Sequence, residues 1–181
     1  MPFAKSTKPP LDYPGLLDHA VRSLASRMKS ERDLRHRLSL RAEPGEDGHQ
    51  DIEKVVAKLK ELGYLSDERF AADFSRLRRD NEKHGQRRVQ QGLMQKGIPQ
   101  PIAKEALGAA YEDVDEVALA RDYIARKRMK PPAGDRDQKQ KETAKAMRRL
   151  IAAGFTTKTI WKVLRDWGSE LEEVDLIDDA G

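Results

Sequence analysis

The chain has 181 residues, of which 38% are hydrophobic and 36% are charged, and its net charge is +4. No apolar run approaches the roughly 20 residues that a membrane span requires, and the absence of cysteine excludes disulfides and thiolate metal sites. So polar a composition favours an elongated array of helices that each keep one face in water. We therefore expect a cytoplasmic protein that makes no membrane contact.

Helical patterns begin after a short N-terminal stretch. Residues 1–14 contain lysines but no apolar core of a secretory signal, so we interpret them as a flexible segment. Residues 15–63 hold three helical patterns, the second starting at Ser30 and the third ending at Gly63. An irregular loop is predicted between these two helices, from Arg41 to Gln50, where glycine and proline accumulate.

Two further groups of three helices follow, in residues 64–112 and 113–168. The first group opens with Ser66 as a helix N-cap and with Leu65 and Phe70 at the positions of a hydrophobic staple. In the last group we predict helices from Val114 to Met129, from Lys139 to Ala153 and from Thr156 to Trp167. Thr156 is predicted to be the N-cap of the last helix, as Ser66 is in the preceding group, with Phe155 and Ile160 as the hydrophobic staple.

An internal repeat links the three groups. Three segments align by their apolar positions: Ser30 to Leu38, Gly85 to Ile98 and Glu142 to Phe155. The repeat length is 55 residues and then 57 residues. The equivalent apolar positions are Leu34, Val89 and Ala146, and then Leu38, Leu93 and Leu150. The pattern predicts an all-α fold of tandem three-helix repeats, each with a helix-turn-helix outline, numbered here repeat 1 to repeat 3.

Charge is distributed unevenly along the chain. Residues 121–165 hold 14 Lys or Arg against 4 Asp or Glu, a balance of +10, whereas residues 166–181 hold 7 acids and no Lys or Arg. The basic stretch would attract DNA or an acidic protein surface. Residues 169–181 are interpreted as an acidic tail that could mask this stretch when no partner is bound.

Catalytic motifs are missing from the sequence. There is no phosphate-binding loop, no dinucleotide glycine fingerprint and no HExxH. The four histidines are scattered without ligand spacing: His19, His36, His49 and His84. We therefore expect no catalytic residue, no metal site, no cofactor and no enzymatic activity.

Two stretches of the chain resemble a known family. They run from Lys58 to Arg79 and from Gly85 to Leu107, and the segment from Tyr64 to Phe70 resembles the signature of the RecX regulatory proteins. The ordered match extends from about Leu16 to Trp167. The resemblance implies a curved array of three-helix repeats that binds RecA filaments on single-stranded DNA. Such proteins block filament growth or hasten filament loss, and so reduce strand exchange, ATP turnover and repressor cleavage.

The sequence departs from the family pattern at several places, and the acidic tail of residues 169–181 is one of them. The loop from Arg41 to Gln50 is enlarged and acidic where the family usually has a short Lys-Gly turn. His84-Gly85 stands where a Gly-Pro pair is common. Gly92 lies inside a predicted helix, where it costs about 1 kcal/mol relative to alanine.

The candidate binding residues are basic side chains in repeats 2 and 3, since arginine pairs with carboxylates and phosphates alike. They are Arg76, Arg78, Arg79, Arg87, Arg88, Arg126, Lys127, Arg128, Lys145, Arg148 and Arg149. A second group of motif residues is interpreted as structural. These are Gly63, Tyr64, Leu65, Asp67, Phe70, Phe74, Gly97, Ile98, Gly154 and Phe155. Trp161 and Trp167 are predicted to close the last repeat, with Trp167 as an exposed partner anchor in the alternative.

Two other functions fit the same residues. A general nucleic-acid-binding protein of tandem helix-turn-helix units would explain the basic excess. Against it, the third helices offer mixed charge around Lys58 to Glu61 and Lys104-Glu105. A repeat scaffold for another protein is the third hypothesis. With the RecA filament as the partner, we expect only weak, non-specific contact with single-stranded or duplex DNA. A monomer is expected, because no sustained heptad seam is present.

Overall fold

The computed structural model describes residues 9 to 178, with side chains described through Trp167. These residues form nine α-helices, and their only β pairing is an isolated bridge between Leu11 and Ala42. The predicted all-α fold of three-helix repeats is confirmed. The helices are α1 (Tyr13–Ser26), α2 (Glu31–Ser39), α3 (Glu46–Glu61), α4 (Asp67–Glu82), α5 (Gln86–Gln95), α6 (Gln100–Tyr111), α7 (Glu116–Arg126), α8 (Arg136–Ala152) and α9 (Thr157–Asp178).

The aligned apolar positions of the repeat are confirmed as core positions. At the first position, Leu34, Val89 and Ala146 are all buried. At the second position, Leu38, Leu93 and Leu150 each have no exposed surface. These are residues of the second helix of each repeat, so α2, α5 and α8 each present the same apolar stripe to a core. Replacing a leucine buried in this way by alanine typically costs 2–5 kcal/mol, roughly, in a packed core.

The predicted helix starts after Ser66 and Thr156 are confirmed by their side-chain hydrogen bonds. Ser66 Oγ accepts from the Arg69 amide at 3.1 Å, and Thr156 Oγ1 accepts from the Thr159 amide at 3.3 Å. Thr156 is held in addition by Glu116, whose carboxylate accepts from the Thr156 amide at 2.9 Å and from its hydroxyl at 2.6 Å. The apolar residues that flank these caps are buried, as a hydrophobic staple requires: Leu65, Phe70, Phe155 and Ile160.

The start of α2 is bonded to the end of α5. Ser30 Oγ accepts from the Asp33 amide at 3.2 Å and donates to the carbonyl of Lys96 at 2.8 Å. The Asp33 carboxylate accepts from Lys96 Nζ at 2.7 Å. The cap of one repeat therefore depends on a residue at the end of the second helix of the next repeat.

The start of α5 is bonded to the end of α8 in the same way. The Gly85 amide donates to the carbonyl of Ala153 at 2.9 Å. Gly85 aligns with Ser30 in the sequence repeat, and Ala153 aligns with Lys96. Helix N-termini expose amides and C-termini expose carbonyls, so each meeting satisfies groups that the isolated helices leave without partners. We call these two contacts the α2–α5 junction and the α5–α8 junction.

Two glycines make these junctions close. Gly97 and Gly154 end α5 and α8 with φ of 76° and 92°, a left-handed conformation that favours glycine. A Cβ on Gly154 would lie 2.3 Å from the Arg88 amide nitrogen, whereas a Cβ on Gly97 would lie 2.4 Å from Cδ of the Arg32 side chain. The α5–α8 junction is therefore a contact of backbone on backbone, and only glycine fits it.

The contacts divide the chain into two compact units. The first comprises the described residues up to Asp73 together with Leu93–Ala103, and the second comprises Phe74–Gly92 and the residues from Lys104 onward. Each junction lies inside one unit, so the division runs through α4, α5 and α6. The core of the first unit is built on α1, α2 and α3, from Leu16, Ala20, Leu34, Leu38, Ile52, Val55, Val56, Leu59 and Leu65. The core of the second is built on α7, α8 and α9, from Leu119, Ala120, Tyr123, Ile124, Leu150, Ala153, Phe155, Ile160 and Val163.

The structure corrects the predicted loop from Arg41 to Gln50. Helix α3 begins at Glu46, directly after Gly45, whose φ is 105°. Residues 46 to 50 are therefore helical. Their acids were interpreted as part of a loop, but Glu46 and Asp47 lie in the first turn of α3, where the positive end of the helix dipole favours negative charge.

Two aromatic residues also differ from their predicted packing roles. Tyr64 is 64% exposed and Trp161 is 58% exposed, so neither closes an apolar core. Trp167 does pack against the core of the second unit, where it is half-buried. Phe74 explains the helical Gly92, because a Cβ at that position would lie 2.9 Å from the Phe74 ring.

Within the described residues, regular structure begins earlier and ends later in the chain than the sequence predicted. The Leu11 amide donates to the Arg41 carbonyl at 2.8 Å, and Asp12 caps α1 through the Gly15 amide at 3.1 Å. Residues 9–14 of the predicted flexible segment are therefore held by the first unit, and residues 1–8 lie outside the described residues. Helix α9 runs to Asp178, whereas the tail's side chains and residues 179–181 lie outside the described residues.

Asp67 caps the start of α2 from another helix. Its Oδ1 accepts from the Glu31 amide at 2.8 Å, although Asp67 itself opens α4. Burial raises the pKa of this carboxyl above its ordinary value, while the bond from Glu31 opposes the rise. The start of α2 thus has two external partners, Asp67 and Lys96.

We expect Gly154→Ala to destabilise the protein by more than about 2 kcal/mol, since left-handed backbone alone costs a non-glycine residue about 1–3 kcal/mol. The matched control is Gly108→Ala in α6, where a Cβ would meet nothing within 4 Å. That variant should gain about 0.5–1 kcal/mol. Urea unfolding followed by far-UV circular dichroism measures both. Equal stability of the two variants would contradict the α5–α8 junction.

Asp67→Ala should cost about 0.5–2 kcal/mol, the usual loss on removing a helix cap, whereas Asp67→Asn keeps an acceptor for the Glu31 amide. Because the native state raises the pKa of Asp67, it binds this proton more tightly than the unfolded chain does. The contribution of Asp67 to native stability therefore falls as pH rises above 3.8, its ordinary pKa. The stability of Asp67→Asn relative to the unmodified protein should rise with pH in unfolding experiments at pH 4 and pH 7. The opposite trend would show that the bond from Glu31 dominates.

Candidate partner-binding surface

The eleven predicted basic residues all lie in the second compact unit. They are carried by α4, α5, α8 and the C-terminal end of α7. Arg76, Arg87 and Arg88 are exposed, as are Arg148 and Arg149. Repeats 2 and 3 thus contribute their candidate residues to one folded body, within which some side chains are already engaged and others are open to a partner.

Two arginines of α4 are engaged by the protein itself. Arg78 forms an ion pair with Glu82, and its guanidinium lies 4.9 Å from the centroid of the Phe74 ring. Arg79 pairs with Asp80 at 2.7 Å and also donates to the carbonyl of Ala110. A guanidinium that bonds to the end of another helix has a structural role, so Arg79 is a weaker candidate for partner contact than the sequence indicated.

Four arginines flank the α5–α8 junction. Arg87 and Arg88 lie in the first turn of α5, and Arg148 and Arg149 lie near the end of α8. The bond between the Gly85 amide and the Ala153 carbonyl holds these two helix ends together. We call these four residues the junction arginines. Among the side chains described, through Trp167, none of the four forms an ion pair.

The position of Arg87 and Arg88 does not serve the stability of their own helix. A helix N-terminus carries partial positive charge and favours acids in its first turn. The first turn of α5 has no acid and has these two arginines instead. Placing cations there weakens the helix slightly, and an external anion at the junction would offset that cost.

The pKa of His84 is affected by cations that three elements carry. Burial is the main cause that lowers its pKa, and the charges of Arg88, Arg78 and Lys127 lower it further. Glu82 opposes these effects, with its carboxylate 3.3 Å from His84 Nδ1. The field at His84 therefore brings together candidates from α4, α5 and the end of α7.

The remaining candidates are dispersed over the second unit. Lys127 lies with its Nζ 5.8 Å from the centroid of the Tyr123 ring, beside His84, whose ring centroid is 6.2 Å from that of Tyr123. Arg128 follows in a left-handed conformation with φ of 46°. Arg126 and Lys145 are exposed. Within the described part of the chain, no side-chain hydrogen bond or ion pair connects these last three residues to the junction arginines.

Sequence reasoning missed two features of this unit. His84 was treated as one of four scattered histidines, although the carbonyl of His84 accepts from the Tyr111 hydroxyl at 2.8 Å and its ring lies among the cations. The exposed Trp161 was assigned to the core. The exposure of Trp161 could have been predicted from the sequence, because lysines lie three residues before it and one residue after it.

Other kinds of site are not found among the residues described. No group of three or more His, Asp or Glu there could hold a metal ion. No helix in that part of the chain is long and apolar enough to cross a membrane.

The repeated junctions define a helical protein built from tandem three-helix repeats. Residues 66–107 match the family model of the RecX second three-helix domain. The chain is 36% identical over 164 residues to the regulatory protein RecX of Escherichia coli strain SE11, covering 86% of this chain and 93% of that protein. It is 35% identical over 162 residues to the regulatory protein RecX of Shigella dysenteriae serotype 1, with the same coverage of 86% and 93%. The chain belongs to the RecX family of regulatory proteins.

Solved structures show the same fold. The crystal structure of RecX from Lactobacillus salivarius superposes with a TM-score of 0.63 at 20% identity, covering 87% of this chain and 97% of that one. A second crystal structure, of a regulatory protein RecX, gives a TM-score of 0.65 at 20% identity, covering 85% and 73%. The fold is thus retained at low sequence identity.

Proposed function

We propose that this protein binds the RecA recombinase filament on single-stranded DNA and restrains its recombinase, ATPase and co-protease activities. It would thereby regulate homologous recombination, DNA repair and the SOS response. The observation that carries the proposal is the 36% identity to regulatory proteins named RecX over 86% of the chain. RecA is the partner that the family resemblance implies.

The junction arginines support a role in binding such a filament. A filament on DNA presents both carboxylates and phosphates, and a guanidinium pairs with either. All four residues are exposed, and the backbone contact between Gly85 and Ala153 fixes the helix ends that carry them. A surface that is organised before binding loses less conformational freedom when the partner arrives. The protein would act as a monomer in the cytoplasm, by occupying a surface rather than by a chemical step.

A general nucleic-acid binder is the second candidate, and the excess of 14 Lys or Arg over 4 Asp or Glu in residues 121–165 favours it. Phosphate contacts of this kind would give salt-sensitive binding without sequence preference. The third helix of repeat 1 is a poor reader of bases, because Lys58 is paired with Glu61 at 3.0 Å. The experiments below separate this candidate from the RecA regulator.

The first experiment measures the single-strand-dependent ATP turnover of RecA from the same source, with and without this protein. A filament regulator should suppress turnover at well below one copy per RecA, because blocking growth or hastening loss affects many subunits. The control is the protein's own affinity for the same DNA at matched salt. Suppression that appears only when the protein saturates the DNA would identify the general binder. Absence of suppression at every ratio would contradict the RecA proposal.

Replacing Arg87, Arg88, Arg148 and Arg149 by alanine should weaken filament binding about tenfold or more, as the loss of about 1.4 kcal/mol produces. Helicity by circular dichroism should not change. The matched control removes four exposed cations from the first unit: Arg22, Arg27, Arg37 and Lys54. Both variants lose the same charge, so an equal loss of binding in the two would show a general charge effect and contradict the assignment of the junction arginines.

A further inference from the structure

The outer face of α9 carries an exposed tryptophan among three cations. Trp161 is 58% exposed, and Lys158, Lys162 and Arg165 lie three residues before it, one after it and four after it. Steps of three and four residues place side chains on one helix face. The core contacts of α9 are made by other residues, since Ile160 and Val163 are 0% and 3% exposed. The indole is therefore not needed to close the second unit.

This face forms a shallow depression between two helices. Trp161 and the three cations line it, together with Thr143 from α8 and Leu164 from α9. Leu164 is half-buried and packs against the core of the second unit, so it provides an apolar base. An aromatic face, an apolar base and a cationic rim are thus held in one place by the packing of α8 on α9.

The cations of the rim are open to a ligand. Lys158 and Lys162 are exposed and form no ion pair with the side chains described through Trp167. Arg165 has Asp166 at 3.7 Å, but that carboxylate lies closer to Arg121, at 2.8 Å. The side chain of Arg165 is 78% exposed. Among the side chains described through Trp167, the carboxylate of Asp166 is the one acid paired with this rim, so the cations there are in excess.

We propose that this depression binds single-stranded nucleic acid, with a base stacked on the Trp161 indole and the adjoining phosphates at Lys158, Lys162 and Arg165. An exposed indole beside cations matches a strand in which bases and phosphates alternate. A duplex keeps its base faces stacked inside the helix, so this site selects single strands. An acidic protein surface would satisfy the cations, whereas a single strand satisfies the cations and supplies a base for the indole at every step. The inference concerns the isolated protein and does not depend on the RecA proposal.

The test uses the full chain and a short, dye-labelled oligodeoxythymidine, with binding followed by fluorescence anisotropy. Trp161→Ala should weaken binding about five- to 150-fold, the usual effect of removing one base-stacking aromatic residue, whereas Trp161→Phe should recover most of the affinity. In the Trp167→Phe background, where Trp161 is the remaining tryptophan, the oligonucleotide should quench the intrinsic fluorescence. A duplex of the same length should do so much more weakly.

The rim is tested by salt dependence. Lys158→Gln with Lys162→Gln should reduce the slope of log affinity against log salt by about 0.7 per lysine. Lys54→Gln with Lys58→Gln in α3, a pair that removes the same charge, should leave the slope unchanged, and Leu62→Ala, at a residue 53% exposed, controls for the loss of an exposed apolar side chain. Unchanged affinity in folded Trp161→Ala, or no quenching in the Trp167→Phe background, would overturn the proposal. So would a loss of RecA inhibition by Trp161→Ala with unchanged oligonucleotide affinity, since Trp161 would then be a protein anchor. A failure of the RecA assay alone would leave the oligonucleotide results standing.

Discussion

The meeting of helix ends is the interaction on which the repeat structure depends. Each α-helix leaves amides without partners at its start and carbonyls without partners at its end. At the α5–α8 junction, the amide of Gly85 and the carbonyl of Ala153 satisfy each other. At the α2–α5 junction, the hydroxyl of Ser30 reaches the carbonyl of Lys96. The partial charges of the facing helix ends are also opposite in sign, so the contact is favourable beyond the single bond.

The same arrangement explains why the binding candidates cluster where they do. The contact at Gly154 is tight enough to place the start of α5 against the end of α8, and each of these helix ends carries a pair of arginines. Four like charges held near one junction repel one another. The protein tolerates this because the backbone contact does not involve the side chains, and the guanidinium groups remain in water. The bond at this junction is made by backbone atoms of Gly85 and Ala153, whereas the candidate arginine side chains belong to neighbouring residues.

Much of the fold could be predicted because the buried apolar positions recur in the sequence with the period of the repeat. Leu38, Leu93 and Leu150 align in sequence and are equally buried, since each faces the core from the second helix of its repeat. Whether Tyr64 and Trp161 are each buried or exposed could not be predicted in this way, because a large aromatic residue fits the apolar pattern whether it faces a core or a partner. The start of α3 was missed because Gly45 and Gly48 indicated a loop, while Glu46 and Asp47 indicated a helix start.

The candidate site was predictable in composition but not in geometry. Arginine and lysine could be counted from the sequence, whereas their convergence on His84 depends on contacts between residues far apart in the chain. Arg79 illustrates the difference. In the sequence it resembles Arg88, but in the structure its guanidinium donates to the carbonyl of Ala110 at the other end of repeat 2. Only tertiary packing distinguishes a structural arginine from one that is open to a partner.

The compact units do not coincide with the sequence repeats, and this has a consequence for how the family can diversify. The end of α5 belongs to the first unit, because Lys96 holds Ser30 and Asp33. A repeat therefore cannot be exchanged as a self-contained cassette. Loss of the second repeat would remove both Asp67 and Lys96 from the start of α2, leaving the Glu31 amide without its acceptor and the Ser30 hydroxyl without the carbonyl to which it donates. Recombination between relatives would preserve the fold only where the breakpoints keep the two sides of each junction together, which favours breakpoints inside helices over breakpoints in the loops between repeats.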